Sequence, residues 1–233
     1  MQYFLRIWML SLALAAVSLS GCGVEPPLRW GVGAGQPGPA DADPAQLAPT
    51  PGQPGCLPVL GGELVINEVL ARPAGLDIDG DGLSNQRDEA LELRLIADGP
   101  RHLDGVALRV AGQQRGYLGG AACHPPGTLL VVLGSTAGGW PPQPGTAQLH
   151  LSAQLALRDE GAVLALLGRG GGLLDQVTYP AAPAGRSLVR TPEGNRWAPL
   201  LPHPNTATGA GHSLGLCSDG SAALGCWGGP SPT

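Results

Sequence analysis

The sequence predicts an all-β fold, an antiparallel sandwich of about eight short strands, and three observations carry that prediction. Apolar and polar residues alternate at period two: Leu91, Leu93 and Leu95 against Glu92 and Arg94, and Val106, Leu108 and Val110 against Ala107 and Arg109. Short apolar runs such as Leu129 to Leu133 are bounded by Pro125-Pro126-Gly127 and Gly134. Finally, 38 Gly and 24 Pro in 233 residues disfavour long helices and demand many turns.

Taken in order, residues 1–21 read as a targeting segment. Arg6 supplies the positive end, and Leu10 to Leu19 is too short an apolar run to span a bilayer in the mature protein. Leu19-Ser20-Gly21-Cys22 resembles the bacterial lipobox. That resemblance implies cleavage before Cys22 and acylation of its thiol and new amino group. Several acyl chains anchor stably where one holds only marginally. Gly23, in place of the Asp that retains such proteins at an inner membrane, implies the outer membrane of the bacterial cell envelope. Residues 22–56 carry the lipid and a tether, with eight prolines between Gly23 and Gly55 and almost no periodicity.

Residues 57–205 form the folded domain. Besides the strands above, Gln148 to Leu157 alternates loosely, Ala162 to Leu167 is a short apolar run, and Leu173 to Tyr179 and Ser187 to Arg190 complete the set. Turn signals such as Gly168-Arg-Gly-Gly-Gly172 separate them. Residues 206–233 read as a loosely ordered Gly/Ser-rich tail. With Cys22 acylated, Cys56, Cys123, Cys217 and Cys226 remain, and an even number in an exported protein reads as two disulfides. Of three possible pairings, the short loop through Ser-Asp-Gly-Ser favours Cys217–Cys226, leaving Cys56 with Cys123. Tight Cys-x-x-Cys pairs for a zinc site are absent.

From Leu64 to Pro204 the motifs fall in a recognisable order: Val65-Ile66-Asn67-Glu68-Val69-Leu70, Asp88-Glu-Ala-Leu-Glu-Leu93, Leu103-Asp104-Gly105-Val106-Ala107-Leu108, Pro126-Gly127-Thr-Leu-Leu-Val-Val-Leu-Gly134, Asp175-Gln-Val-Thr-Tyr179, and Gly185-Arg-Ser-Leu-Val-Arg190 followed by Trp197. This order resembles the lamin tail domain of secreted bacterial proteins. The resemblance implies an immunoglobulin-like antiparallel sandwich, with Trp197 at a core position. Val106 and Ala90 stand where that family has aromatic residues.

One loop carries metal chemistry. Asp77 to Asp88 matches D-x-D-x-D-G-x5-D, in which Asp77, Asp79 and Asp81 converge on one ion and Gly82 supplies the sharp turn. Leu83 would add its carbonyl, Asn85 would bind directly or through water, and Asp88 or Glu89 would fill the last position. The flanks read as strands, so this is a calcium loop inserted in a sandwich, its expected affinity on the order of 10⁻⁴–10⁻³ M as in other extracellular modules. Seven of the 18 acidic residues lie between Glu68 and Glu92, a repulsion that a cation would relieve.

Other candidates yield to plainer readings. Gly211-His-Ser-Leu-Gly215 matches the hydrolase G-x-S-x-G, but neither flank reads as strand or helix and no His follows His212, so a catalytic role is not expected. His102, His124, His150, His203 and His212 lack metal-binding spacing and read as surface or turn residues. Glu68 and Glu92 read as cation support or solvated surface. Trp30, Trp140, Trp197 and Trp227 do not define a carbohydrate face. The 13 basic residues, all Arg, are scattered and the net charge is −5, which excludes a nucleic-acid footprint. The expectation is a non-catalytic, lipid-anchored envelope protein with structural Ca²⁺, meeting the membrane through its lipid and an unidentified protein or glycan through its domain. The alternatives are an accessory domain recruiting a nuclease or protease, and a calcium-dependent carbohydrate-binding module.

Overall fold

The computed structural model describes residues 55–134, 143–151, 153–204, 210–223 and 226; the expected signal segment, Cys22, most of the expected tether and Trp30, Trp140 and Trp227 lie outside them. The described chain is an all-β sandwich of thirteen strands. A six-stranded sheet runs β13 (Leu200–Pro202), β12 (Leu188–Arg190), β2 (Leu64–Leu70), β3 (Ala90–Leu95), β8 (Leu129–Leu133), β9 (Thr146–His150). A four-stranded sheet runs β11 (Leu173–Tyr179), β10 (Ala162–Leu167), β5 (Ala107–Val110), β6 (Gln113–Tyr117). A small third sheet joins β1 (Leu57–Pro58), β4 (Arg101–His102) and β7 (Cys123–His124). Among the described residues no helix is long and apolar enough to cross a membrane.

The apolar runs become strands because each has a layer to face. Leu64 and Ile66, Leu91, Leu93 and Leu95, and Leu130 and Val132 point inward from the larger sheet. They pack on Leu108 and Val110, Leu164 and Leu166, and Leu174, Val177 and Tyr179 of the smaller one. Leu129–Leu133, Ala162–Leu167 and Leu173–Tyr179 coincide with the runs read from the sequence. Among the described residues, the alternation read over Gln148 to Leu157 is strand only as far as His150, at the end of β9 (Thr146–His150).

The antiparallel expectation fails at two ladders, β1–β4 and β8–β9, which are parallel. Between β8 and β9 the chain has residues 134–145, enough for the crossover that parallel pairing needs. Disulfides join Cys56 to Cys123, tying β7 to the chain before β1, and Cys217 to Cys226, closing the C-terminal segment.

A second departure matters more. Strand β3 was expected to have one wet face, yet Glu92 is fully buried and Arg94 nearly so, and every residue of β2 is buried. A bulge between Ile66 and Glu68 turns Ile66 and Val69 to the core, while Leu70 faces away from it. The outer face so formed carries a second apolar cluster: Leu70, Ala90, Val131 and Leu133, covered by Ile78 from the acidic loop and by Leu214. The segment expected to be a loose tail therefore includes a packed strap across residues 211–217. Its Ser213 and Leu214 are 1 % exposed. Leu214 is buried in that outer-face cluster, and the N–H groups of Ser213 and Gly215 on either side donate to the buried carboxylates of Glu68 and Glu92.

Candidate metal centre

The chain leaves β2 through Arg72-Pro73 and returns to β3 through the acidic loop, which Ile78 pins to the outer face of the larger sheet. The loop's backbone is held by its own carboxylates. Asp77 Oδ2 accepts from the Gly82 N–H (2.9 Å), Asp79 Oδ1 from Asp81 (3.1 Å) and Asp81 Oδ1 from Leu83 (2.8 Å). Gly82 sits at φ +85°, the left-handed turn that position six requires. These bonds bring Asp77, Asp79 and Asp81 together, with one carboxylate oxygen of each lying within 4.8 Å of the others. Two oxygens on opposite sides of one calcium ion, each about 2.4 Å away, span the same distance.

Asp79 makes this more than an acidic turn. It is fully buried, and its Oδ2 meets no hydrogen-bond donor. A buried carboxylate oxygen without a donor costs several kcal/mol on the order of an unmade charged hydrogen bond. A cation shared with Asp77 and Asp81, both exposed, would remove that cost.

Three of the other expected ligands, Asp88, Asn85 and Glu89, make hydrogen bonds within the fold. Asp88 is buried, and its Oδ1 accepts from Ile78 (2.7 Å) and Asp79 (3.2 Å), its Oδ2 from Asn85 (2.7 Å). With Asn85, which caps the Arg87 N–H at 2.8 Å, it forms a capping box at the short 3-10 turn Gln86–Asp88. That signal was in the sequence: Asn followed three residues on by an acid is a cap pattern as well as the end of a calcium loop. Glu89 turns away, accepting from the Leu157 N–H at 2.9 Å, and burial pushes its carboxyl up to about 7. Leu83, expected to offer its carbonyl, sits in the same turn, its N–H donating to Asp81 Oδ1. The carboxylate set is thus three Asp, with Asp88 locking the loop that presents them.

Glu68 and Glu92 do not belong to this cluster, nor are they solvated. Both are fully buried beneath the strap, in register on neighbouring strands. Glu68 accepts from Ser187 Oγ (2.6 Å), the Ser213 N–H (2.9 Å) and Ser213 Oγ (2.5 Å). Glu92 accepts from Asn67 Nδ2 (2.8 Å) and the Gly215 N–H (2.6 Å). Burial, then the neighbouring Glu68 charge, holds the Glu92 carboxyl well above the ordinary glutamate range. Arg94 on the same face pairs with Glu193 at 3.0 Å and donates to the Cys226 carbonyl at 2.6 Å; Glu193 in turn accepts from the Ser218 N–H. The G-x-S-x-G segment is therefore the clasp of the strap, its serine hydroxyl committed to Glu68.

Histidines read as surface residues divide. His203 is fully buried with neither ring nitrogen hydrogen-bonded, and His102 is 8 % exposed. Burial lowers His124 and His212. Trp197, expected in the core, is 82 % exposed and stacks under the Arg196 guanidinium 4.8 Å away. Arg190 takes the buried place instead, donating to the carbonyls of Asn195, Arg196 and Ala198 and so holding the turn that carries Trp197 outward. Comparison with family models, curated proteins and solved structures finds no match to the chain.

Proposed function

We propose that this chain is a non-catalytic, lipid-anchored protein of the bacterial envelope whose lamin-tail-like sandwich is fastened by one calcium ion. The carrying observation is the buried, donor-free Oδ2 of Asp79 beside the carboxylates of Asp77 and Asp81. The ion's role is structural: Ile78 and Asp88 make the same loop a cover for the outer sheet face, so fixing the loop fixes the cover. The lipobox-like Leu19-Ser20-Gly21-Cys22 and the proline-rich stretch after it support the anchor and tether.

At a dissociation constant on the order of 10⁻³ M, 10 mM calcium stabilises the folded state by about 1.4 kcal/mol. Calorimetric melting of the chain from Gly23 onward should therefore move up by a few degrees with calcium, and Asp79→Asn should abolish the shift. A wild-type melting temperature indifferent to calcium sinks the ion assignment. The anchor is tested separately: Cys22→Ala should move the protein from the membrane to the soluble fraction of expressing cells. Unchanged fractionation excludes acylation as the main attachment.

A further inference from the structure

The outer face of the smaller sheet holds a concavity of about 580 Å³, away from the acidic loop and the strap. Its floor is Ala107 on β5, which pairs with Leu167 on β10 and with Tyr117 on β6. A small residue there, between longer neighbours, makes the hollow. One end is closed by the glycine turn after β10, with Arg169 lying over Gly105; a Cβ at Gly105 would stand 2.8 Å from the Arg169 Cβ and Cγ, so only glycine permits this approach. The rim is Arg109, Gln114, Tyr117 and Arg169.

The chemistry of that rim is specific. Tyr117 is 61 % exposed, an aromatic face left to solvent on the last residue of β6. Gln114, exposed and opposite Arg109 in register, offers donors and an acceptor together. Arg109 is exposed and forms no ion pair among the described residues. Arg169 pairs with Asp104 at 3.3 Å, but both side chains are largely exposed, so the pair is weak and can be exchanged. Two guanidiniums against one carboxylate leave the hollow cationic on a chain of net charge −5. Guanidinium forks bind carboxylates, an exposed aromatic stacks on the apolar face of a sugar ring, and an amide serves hydroxyls.

We propose that this hollow binds a carboxylated sugar, a uronic-acid unit of an acidic glycan, with Arg109 and Arg169 on the carboxylate, Tyr117 under the ring and Gln114 on its hydroxyls. The proposal rests on the expectation that the domain of this envelope protein meets a protein or glycan partner, and it is independent of the calcium loop.

The test is calorimetric titration of the full chain in detergent with trigalacturonate, with its methyl ester, and with hexaglutamate, each with calcium or with chelator. Trigalacturonate should bind, the uncharged ester and the peptide at least tenfold more weakly. Arg109→Gln and Tyr117→Ala should each weaken trigalacturonate at least tenfold without moving the melting temperature, because both side chains are exposed. Gln114→Ala is the second, milder variant, expected to weaken it severalfold. Binding unaffected by chelator fits the proposal even if the calcium assignment fails. Absence of binding, equal binding of the ester or of hexaglutamate, loss on chelation, or indifference to Arg109→Gln and Tyr117→Ala overturns it.

Discussion

Replacing Arg190 by Met should lower the stability of the domain by about 3–5 kcal/mol, the cost of leaving a buried carboxylate without its partner. Arg190 and Asp175 are 1 % and 2 % exposed and pair at 3.0 Å. Their position explains why they are there. Strand β12 pairs with β2 only at Val69 and Glu68, so the ladder stops before Ile66. Asp175 Oδ2 accepts the Ile66 N–H at 2.8 Å, and Arg190 Nε donates to the Ile66 carbonyl at 2.6 Å. Side chains from β11 and β12 thus replace the missing strand, and the pair bridges the two sheets at the sandwich edge. Burial pulls the Arg190 guanidinium down and Asp175 opposes it. Arg190→Met strands the Asp175 charge, the Ile66 carbonyl and the Arg196 and Ala198 carbonyls together. For a domain of this size the loss corresponds to a melting temperature about 10 °C lower. Adding Asp175→Leu should recover part of it, since the unpaired charge goes too. A single-variant loss below about 1 kcal/mol in urea titration would show that the pair is not the tie described.

How much of this was legible depended on whether the cause was local. Leu129–Leu133 and Leu173–Tyr179 declare themselves because apolar period and turn residues act within each strand's own length. Strand β6, Gln113–Tyr117, does not: it is a sheet edge with polar side chains on both faces, sustained by pairing with β5. The convergence of Asp77, Asp79 and Asp81 was legible from spacing alone, whereas Asp88 fits two patterns at once and the fold uses the cap. The burial of Glu92 and Arg94 was not legible. Local alternation gives each a wet face, and the cover arrives from Ser213 and Gly215, more than a hundred residues along the chain. Trp197 departs in the opposite sense: the family resemblance implied a core position, but it is exposed, and Arg190 holds the carbonyls of Asn195, Arg196 and Ala198 around it.

The same cover makes the domain's stability depend on pH through Glu92. Its carboxyl is raised by burial and by Glu68, so the native state holds a proton that the unfolded chain releases near the ordinary value of 4.5. A raised carboxyl contributes stability that is whole below that value and is lost as pH rises through the native one. A single such group changes stability by up to about 1.4 kcal/mol per pH unit in the window. Glu89, raised to about 7, acts in the same direction between pH 4.5 and 7. His124 and His212, lowered by burial, act the opposite way near 6.5, and Glu63, lowered by its hydrogen bond to Arg101, does so at the acid end. The difference between wild type and Glu92→Gln isolates the one group. Gln keeps an acceptor for either Asn67 or the Gly215 N–H but turns its amide nitrogen on the other, costing about 1–3 kcal/mol at pH 5. As pH rises the wild type loses its proton-linked share and the variant does not, so the gap should narrow and can invert by pH 8. Urea titrations at pH 5, 6, 7 and 8 measure it directly. A gap that stays constant across that range means that Glu92 titrates as an ordinary carboxylate and that burial beneath the strap does not raise it.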